Sequence, residues 1–406
     1  MGIHRRLVLG AAVAGGVAWA APVPAYAAGP GPDELFRAGR FDEADRGYAG
    51  VLRANPGDPH ALGQRGYIAL LSNRFAAAER FLAPIAGADA VARQRLAECF
   101  VRQDRYDRAV PLLGDSPIGR LFAAVGPRPW RVTGAGRTRV PFLGLDPLPH
   151  VAATANGGPA GRYLIDTYAT VTLAGSEARR LGLRAVATAG GVLGNRPVTT
   201  YLGVLDSFRI GGIELRNVPV NWADVPLPAL PDGREPAGVF GTTLLYHLLS
   251  TLDYARGELV LRRRGGPNPR TGNDLPLWLA GDHYPCTVGS LRALGPRIVT
   301  LDTGGIGHGL DTTVEVAERA GIPVDHAHPG DVNGATVYPI RPDRIALGRA
   351  VGRDVPGIAA AAVWPGLPGP GQSAMFGFEA IANFTHEYCK PFALTFDFTA
   401  MRLSVV

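Results

Sequence analysis

The chain has 406 residues, of which 46% are hydrophobic and 19% are charged, a balance that describes a globular protein of two or three domains and excludes a disordered one. Its 54 glycines and 35 prolines favour a turn-rich β protein over a helical bundle. The formal net charge is +6, but the basic residues are scattered arginines rather than a cluster, so we expect no nucleic acid partner.

The N-terminus has the pattern of an export signal. A short basic stretch with Arg5 and Arg6 precedes an apolar run from Leu7 to Ala21, and Ala25-Tyr26-Ala27 is a small-x-small cleavage pattern. The run is shorter than the roughly 20 residues of a membrane span, which favours cleavage over an uncleaved anchor. We predict a signal peptide over residues 1–27, of Sec or twin-arginine type, and an exported protein that is secreted or held in the periplasm or cell envelope, with no transmembrane segment after cleavage.

Residues 28–120 have the apolar spacing of helices and contain an internal repeat. Gly39-Arg40-Phe41-x-x-Ala44 recurs 34 residues later as Asn73-Arg74-Phe75-x-x-Ala78, and after a further 31 residues as Asp104-Arg105-Tyr106-x-x-Ala109. The period is similar to that of tetratricopeptide repeats, and three partial repeats predict five or six helices. Two roles remain open for this region: a groove for a peptide or protein partner, or a structural cap on the rest of the chain.

From Gly126 onward, short β-rich segments alternate with glycine and proline turns, so the helical domain is predicted to end between residues 120 and 126. Segments 132–143, 150–155 and 163–165 are predicted strands. Helices are predicted at 176–182 and 313–321, each ending at a glycine. The polar segment 265–272 is interpreted as a linker between a first lobe, 126–264, and a second lobe, 273–406.

Two acidic turns occupy matching places in these lobes. Each follows an apolar strand: Leu164-Ile165-Asp166-Thr167-Tyr168-Ala169 in the first lobe and Thr300-Leu301-Asp302-Thr303-Gly304-Gly305 in the second. A hydrophobic-hydrophobic-Gly triplet ends 75 residues after each aspartate, at Val239-Phe240-Gly241 and at Met375-Phe376-Gly377. A third pair, Thr251-Leu252-Asp253-Tyr254 and Thr395-Phe396-Asp397-Phe398, is offset by 144 residues rather than 136. Duplicated lobes that face each other would bring Asp166 and Asp302 together.

These residues resemble the retropepsin-like (retroviral-type) bacterial aspartic proteases, with two lobes in one chain. The resemblance covers roughly residues 126–406 and implies a mainly β, two-lobed acid-protease fold preceded by the α-helical tetratricopeptide-like domain. It also implies that Asp166 and Asp302 form a catalytic dyad, supported by Thr167, Thr303 and Gly304. Two carboxyl groups that share one proton can activate water and protonate an amide nitrogen without a metal or cofactor. The predicted function is an exported aspartic-type endopeptidase acting on a peptide or protein substrate.

The resemblance further implies a glycine-rich hairpin that closes over the substrate. Gly190-Gly191-Val192-Leu193-Gly194 is the prediction for the first lobe, with Gly190, Gly191 and Gly194 as flap residues, and 330–334 is the candidate in the second. An ordinary hairpin turn remains the alternative, above all for the second.

Tyr168 departs from the family pattern, which has glycine at this place. A tyrosine would be strained if its φ were positive, and it brings a bulky ring close to the dyad. Either the ring lines a substrate-specificity pocket or the first lobe has lost catalysis. Two alternatives to a protease therefore stay open: a catalytically degenerate peptide- or cell-wall-binding protein on the same fold, and a repeat-based protein-interaction scaffold.

The three cysteines are too few for a disulfide scaffold. Cys286 and Cys389 could pair in an oxidising compartment, which would leave Cys99 as a small core residue. His326 and His328 are interpreted as a solvated loop pair rather than metal ligands.

Overall fold

The structure is a computed structural model that describes residues 29–193, 196–268, 270–332 and 334–406. The predicted leader, 1–27, lies outside the described residues. Between its start and the first strand, the described chain contains seven helices: α1 Pro32–Arg37, α2 Phe41–Ala54, α3 Pro59–Leu71, α4 Phe75–Leu82, α5 Ala90–Val101, α6 Tyr106–Leu113 and α7 Pro117–Val125.

The rest of the chain is mainly β, which confirms the predicted fold class. The first lobe contains β1 Arg131–Gly134, β2 Arg137–Pro141, β3 His150–Ala155, β4 Gly161–Ile165, β5 Thr172–Ala174, α8 Gly175–Arg180, β6 Ala187–Leu193, β7 Arg196–Ile210, β8 Ile213–Ala223, β9 Gly238–Phe240, α9 Thr242–Leu245, β10 Leu248–Asp253 and β11 Glu258–Arg263.

The second lobe begins after the segment predicted as a linker. It contains β12 Asp274–Pro276, β13 Trp278–Ala280, β14 Tyr284–Leu291, β15 Leu294–Asp302, β16 Leu310–Thr313, α10 Val314–Arg319, β17 Gly330–Val332, β18 Ala335–Ile340, β19 Ile345–Leu347, β20 Ala350–Gly352, β21 Gly357–Ala360, α11 Ser373–Phe376, β22 Ala382–Thr385, α12 His386–Cys389, β23 Ala393–Asp397 and β24 Arg402–Val405. The predicted helices at 176–182 and 313–321 appear as α8 and α10, followed by left-handed glycines at Gly182 and Gly321.

The repeated segments of the helical region share one backbone feature. Each starts a helix (α2, α4 or α6), and two residues before that helix the backbone is left-handed, with φ of 73° at Gly39, 53° at Asn73 and 58° at Asp104. Glycine, asparagine and aspartate are the residues that tolerate this conformation best. The region is therefore compatible with a tandem helical repeat. It has seven helices rather than the predicted five or six, because α7 follows the third repeat.

The helical region packs against the second lobe through a shared apolar core. Phe41 lies edge-on to Trp278 and Phe378, at ring-centroid distances of 5.2 and 5.0 Å. Phe36 also reaches Phe378, at 6.0 Å, and the Asn73 side-chain amide donates to the Phe398 carbonyl at 2.9 Å. Because buried aromatic contacts of this kind dominate core energetics, the packing supports the structural-cap role for these helices.

The lobes have equivalent central sheets. In the first, strands run in the order β1-β8-β5-β9-β4-β3-β7-β6, and in the second the matching order is β21-β16-β22-β15-β14-β19 within a larger sheet. In each, the strand that leads into the acidic turn pairs in parallel with a late strand, β4 with β9 and β15 with β22. A third sheet, β12-β24-β23-β10-β11-β2, takes three strands from each lobe. At its centre Thr251 pairs with Thr395, so the third duplicated element lies on the approximate two-fold axis.

The strand register corrects one sequence prediction. Val239 pairs with Leu164 in the first lobe, and Asn383 pairs with the equivalent Thr300 in the second. The true counterpart of Val239-Phe240-Gly241 is therefore Asn383-Phe384-Thr385. Met375-Phe376-Gly377 belongs to α11 and the residue after it, outside this ladder, so its 75-residue spacing is a coincidence. The offset at this position is 144 residues, the same as for the third duplicated element, and the eight extra residues thus precede β22.

The cysteine prediction was partly wrong. All three thiols are free and buried, and Cys286 and Cys389 lie in different core clusters. Cys99 is a small core residue, as predicted.

None of the described helices is long and apolar enough to cross a membrane.

Candidate active site

Asp166 and Asp302 meet at the interface between the lobes. Asp166 directly follows β4 and Asp302 ends β15, and their carboxyl groups are in hydrogen-bond contact with each other. Each turn also bonds its own carboxylate: the Tyr168 N–H donates to Asp166 Oδ1 and the Gly304 N–H to Asp302 Oδ1, both at 2.7 Å. The two turns thus have the same local geometry although their third residues differ.

The neighbouring threonines tie the two turns together. The Thr167 N–H donates to Thr303 Oγ1, and the Thr303 N–H donates to Thr167 Oγ1, both at 3.0 Å. Their hydroxyls donate in turn across the axis, Thr167 to the Leu301 carbonyl at 2.7 Å and Thr303 to the Ile165 carbonyl at 3.2 Å. All four bonds are buried, so they hold the aspartates in one relative position. The resemblance predicts that Thr167 and Thr303 support the dyad, and these bonds are compatible with that role.

The electrostatics of the pair are those of two carboxyl groups that hold one proton. Burial raises the pKa of Asp166, although hydrogen bonds from the Tyr168 N–H and from Asp302 work in the opposite direction. Burial also raises the pKa of Asp302, and the nearby Asp166 and Asp311 carboxylates raise it further, to well above its ordinary value. Two adjacent carboxylates cannot both ionise at low cost. The pair therefore holds one proton, and the stronger increase at Asp302 favours Asp302 as the residue that carries it.

Glycine is required at position 304 because a side chain there would collide with Asp166, and not because of the backbone angle. A Cβ atom at this residue would lie 2.4 Å from Asp166 Oδ2. Neither Gly304 nor Tyr168 has a positive φ, so the strain expected for Tyr168 is absent. The Tyr168 ring packs edge-on against Tyr284 of the second lobe, at a centroid distance of 4.9 Å.

The two lobes need a glycine next to the acidic turn, but they have it at different positions. A Cβ at Gly241 would lie 1.8 Å from the Asp166 carbonyl oxygen and 2.5 Å from that of Ala169, so only glycine fits after β9. In the second lobe Thr385 stands in that place, and the glycine has moved to the turn, at Gly305, where a Cβ would lie 2.0 Å from Thr385 Oγ1. This exchange explains why the second triplet was missed, since it lacks the glycine that marks the first.

A buried polar chain supports Asp302 and has no equivalent at Asp166. The Asn383 side-chain amide donates to Asp302 Oδ2 at 3.3 Å and to Asp311 Oδ2 at 2.8 Å, and its own carbonyl accepts from Thr300 Oγ1 at 2.8 Å. His308 Nε2 pairs with Asp311 Oδ1 at 2.6 Å. In the first lobe the residue that matches Asn383 is Val239. In the sequence, the signal for these hydrogen bonds was Asn383, a polar residue at an apolar position of the triplet. It was missed because the triplet had been assigned to Met375-Phe376-Gly377.

Sequence reasoning also missed a histidine beside the first turn. Burial lowers the pKa of His283, but the adjacent Asp282 carboxylate and the Tyr168 carbonyl raise it, with a net increase. The positive charge of His283 in turn lowers the pKa of Asp166. His283 therefore favours the ionised form of Asp166.

Two of the three predicted flap residues lie in one hairpin. Gly190 and Gly191 lie in β6, paired with Thr199 and Val198 of β7, and Gly194 lies outside the described residues. The second candidate, 330–334, includes β17, which pairs with β18 as an antiparallel hairpin.

The remaining predicted features are structural or solvated. Asp253 and Asp397 accept backbone hydrogen bonds from the turns that follow them. His328 is paired with Asp325 on the surface. Within the described ranges, no group of three or more histidine, cysteine or acidic side chains is arranged to hold a metal ion.

A known protein family matches part of the first lobe. Residues 151–244 match the family model described as aspartyl protease, which confirms the resemblance to that family. Similar solved structures include a retropepsin-like aspartic protease from Rickettsia conorii (18% identity, TM-score 0.24, covering 34% of this chain and 95% of that chain) and an aspartic proteinase from Irpex lacteus (10% identity, TM-score 0.40, covering 66% and 97%). A search of curated protein sequences found no match.

Proposed function

We propose that this chain, whose first lobe matches the aspartyl protease family model, is an exported aspartic-type endopeptidase with Asp166 and Asp302 as its catalytic residues. The observation that carries the proposal is the two-fold pair of turns, with the carboxyl groups in contact and the threonines bonded across the axis. Export rests on the leader pattern of residues 1–27 alone.

The electrostatics suggest which aspartate takes which role. Ionised Asp166 removes a proton from water while the water oxygen forms a bond to the peptide carbonyl carbon, and Asp302 gives its proton to the carbonyl oxygen. Asp166 then passes its proton to the amide nitrogen as the C–N bond breaks, and Asp302 recovers a proton from the diol hydroxyl. Both aspartates return to their starting states, so no metal or cofactor is needed.

The experiment that tests the proposal is digestion of a peptide library by residues 28–406 from acidic to neutral pH. Cleavage is expected with a bell-shaped pH profile, because activity needs one proton on the pair and is lost when the second proton is gained or the last one leaves. Chelators and serine-directed reagents should leave the rate unchanged. A folded protein that cleaves nothing at any pH would contradict the proposal.

The polar chain behind Asp302 gives a second prediction, for the basic limb of that profile. Replacing Asn383 with valine, its first-lobe counterpart, removes a donor to the ionised form of Asp302, so the Asp302 pKa should rise and the basic limb should move to higher pH. Replacing Asp311 with asparagine removes a neighbouring negative charge, so the limb should move to lower pH. The measurement is kcat/KM against pH for both variants.

The two variants control for each other, because their basic limbs are expected to move in opposite directions. General damage to the site would lower the activity of both variants without moving their basic limbs apart. Shifts in the same direction would contradict Asp302 as the residue that holds the proton.

A further inference from the structure

A cavity of about 150 Å³ lies between the helical region and the first lobe. One wall comes from α7, through Ile118, Leu121 and Phe122, and the opposite wall from Leu202 of β7 and Val220 of β8. Most of its lining is apolar, as in binding sites for small organic groups. Neither lobe could form this cavity without the helical region.

The cavity adjoins the first catalytic turn. Thr170, the residue after the Asp166–Ala169 turn, is part of its lining, as is Thr242. The Thr242 hydroxyl donates to the Thr167 carbonyl at 2.6 Å, so the cavity is one hydrogen bond away from the residue that ties the two turns together. Asp282, next to His283, lines the side nearest the second lobe. The cavity therefore borders the turn that carries Asp166, on the side of Thr170 and Thr242.

The charges at the cavity are already paired, which favours a neutral occupant. Arg102 is bonded to Glu98 and to the carbonyls of Leu279 and Gly281. His247 contacts Asp104 at 3.0 Å and the Thr243 carbonyl at 2.9 Å, and burial lowers its pKa. An anionic group would find no uncommitted cation among these residues, and a cationic one would find no uncommitted anion beside them.

The volume of the cavity and the unpaired hydroxyl of Thr243 indicate which neutral group would fit. An apolar cavity of about 150 Å³ accommodates a benzene ring. Among the described residues, Thr243 Oγ1 is buried without a hydrogen-bond partner, and Thr243 lines this cavity. An unsatisfied buried hydroxyl costs about 1–3 kcal/mol. A ligand hydroxyl recovers this cost once the Thr243 side chain rotates toward the cavity, because Oγ1 has almost no accessible surface in its present position.

We propose, on the basis of the proposed protease function, that this cavity is a subsite for one aromatic side chain of the substrate, with Thr243 as its polar anchor. The helical region then contributes directly to substrate choice as well as capping the second lobe. Tyrosine is favoured over phenylalanine, because its hydroxyl can bond Thr243.

The first test fills the cavity from the helical side. Ile118 is 39% exposed on α7, so Ile118→Trp should fold and occupy the space. Val51→Trp is the matched control, since Val51 is 37% exposed on α2, away from the cavity. With peptides varied one position at a time, Ile118→Trp should lower kcat/KM about tenfold or more for aromatic residues at one position only, and leave alanine there unaffected. Val51→Trp should match the unmodified protein at every position.

The second test concerns the hydroxyl. Thr243→Val keeps the shape of the side chain, so it should reduce the preference for tyrosine over phenylalanine at that same position without a general loss of activity. An aromatic preference that neither Ile118→Trp nor Thr243→Val alters would overturn the proposal.

A binding measurement separates this proposal from the protease function itself. Asp302→Asn should bind an uncleaved tyrosine-containing peptide, and adding Ile118→Trp should weaken that binding, as measured by calorimetry. If the unmodified protein cleaves nothing but this binding difference appears, the protease function fails and the aromatic site stands. If cleavage occurs and Ile118→Trp changes neither binding nor preference, the aromatic site fails alone.

Discussion

Replacing either Asp166 or Asp302 with asparagine is expected to abolish peptide cleavage, with a loss of about 10²- to 10⁴-fold or more in kcat. An amide is nearly the same shape as a carboxyl group but can neither remove a proton from water nor supply one to the substrate. Because the two residues act as one unit, the double variant should be no worse than the single ones. The measurement is kcat for the best library peptide at the pH optimum.

Two controls accompany this result. Asp253→Asn changes another buried, duplicated aspartate, whose carboxylate accepts from the Arg256 N–H at 3.0 Å, and it should retain activity with some loss of stability. The second control is the thermal stability of Asp302→Asn. The pKa of Asp302 is raised in the folded protein, so the unmodified protein loses stability as pH rises from the unfolded pKa through the folded pKa. At neutral pH the variant should therefore melt at or above the temperature of the unmodified protein.

If Asp302→Asn eliminates cleavage while Asp166→Asn leaves it intact, the dyad within one chain is wrong. The second lobe would then have to act with a copy of itself.

Gly304→Ala is expected to reduce activity by at least about 100-fold, because a misplacement of about 1 Å at a catalytic group has that effect. The added Cβ would lie 2.4 Å from Asp166 Oδ2 and Cγ, a distance at which one of the two must move. The Asp166 carboxyl cannot move without leaving Asp302 or the Tyr168 N–H that bonds it. The overpacking should also destabilise the fold by about 1–3 kcal/mol.

Gly136→Ala is the matched control, since a Cβ there would meet no atom within 4 Å and the backbone angle is not left-handed. It should change the free energy of unfolding by no more than about 0.5 kcal/mol and leave kcat unchanged. Wild-type activity in Gly304→Ala would mean that the carboxyl groups are farther apart in solution than in this structure.

Much of the architecture could be predicted from the sequence because it depends on local or duplicated patterns. The helical region, the strands leading to Asp166 and Asp302, and the helices that end at Gly182 and Gly321 all follow from apolar periodicity and stop signals. The meeting of the two aspartates followed from duplication, because two copies of one unit packed about an axis place equivalent residues together. The roles of Thr167 and Thr303 came from the family resemblance.

Equal spacing misled the prediction where the two copies had diverged. Met375-Phe376-Gly377 matched the expected triplet by its letters, but the parallel pairing of β22 with β15 selects Asn383-Phe384-Thr385. Register depends on hydrogen bonds between strands distant in the chain, and no local pattern reports them. The sequence also could not show whether Tyr168 is strained. Its φ is not positive in the structure, and its ring packs against Tyr284.

The sequence by itself determined the two-lobed β fold with helices before it, the pair of acidic turns and the threonines beside them, because these depend on residue type, period and repetition. Only the tertiary structure decided that Asn383 and Asp311 lie next to Asp302 and that the charge of His283 acts on Asp166. It also decided that the helices pack on the second lobe and enclose a cavity beside the turn that carries Asp166. Each of these contacts joins residues from separate elements. Their free energy comes from burial and hydrogen bonding across long sequence separations, which a linear pattern does not encode.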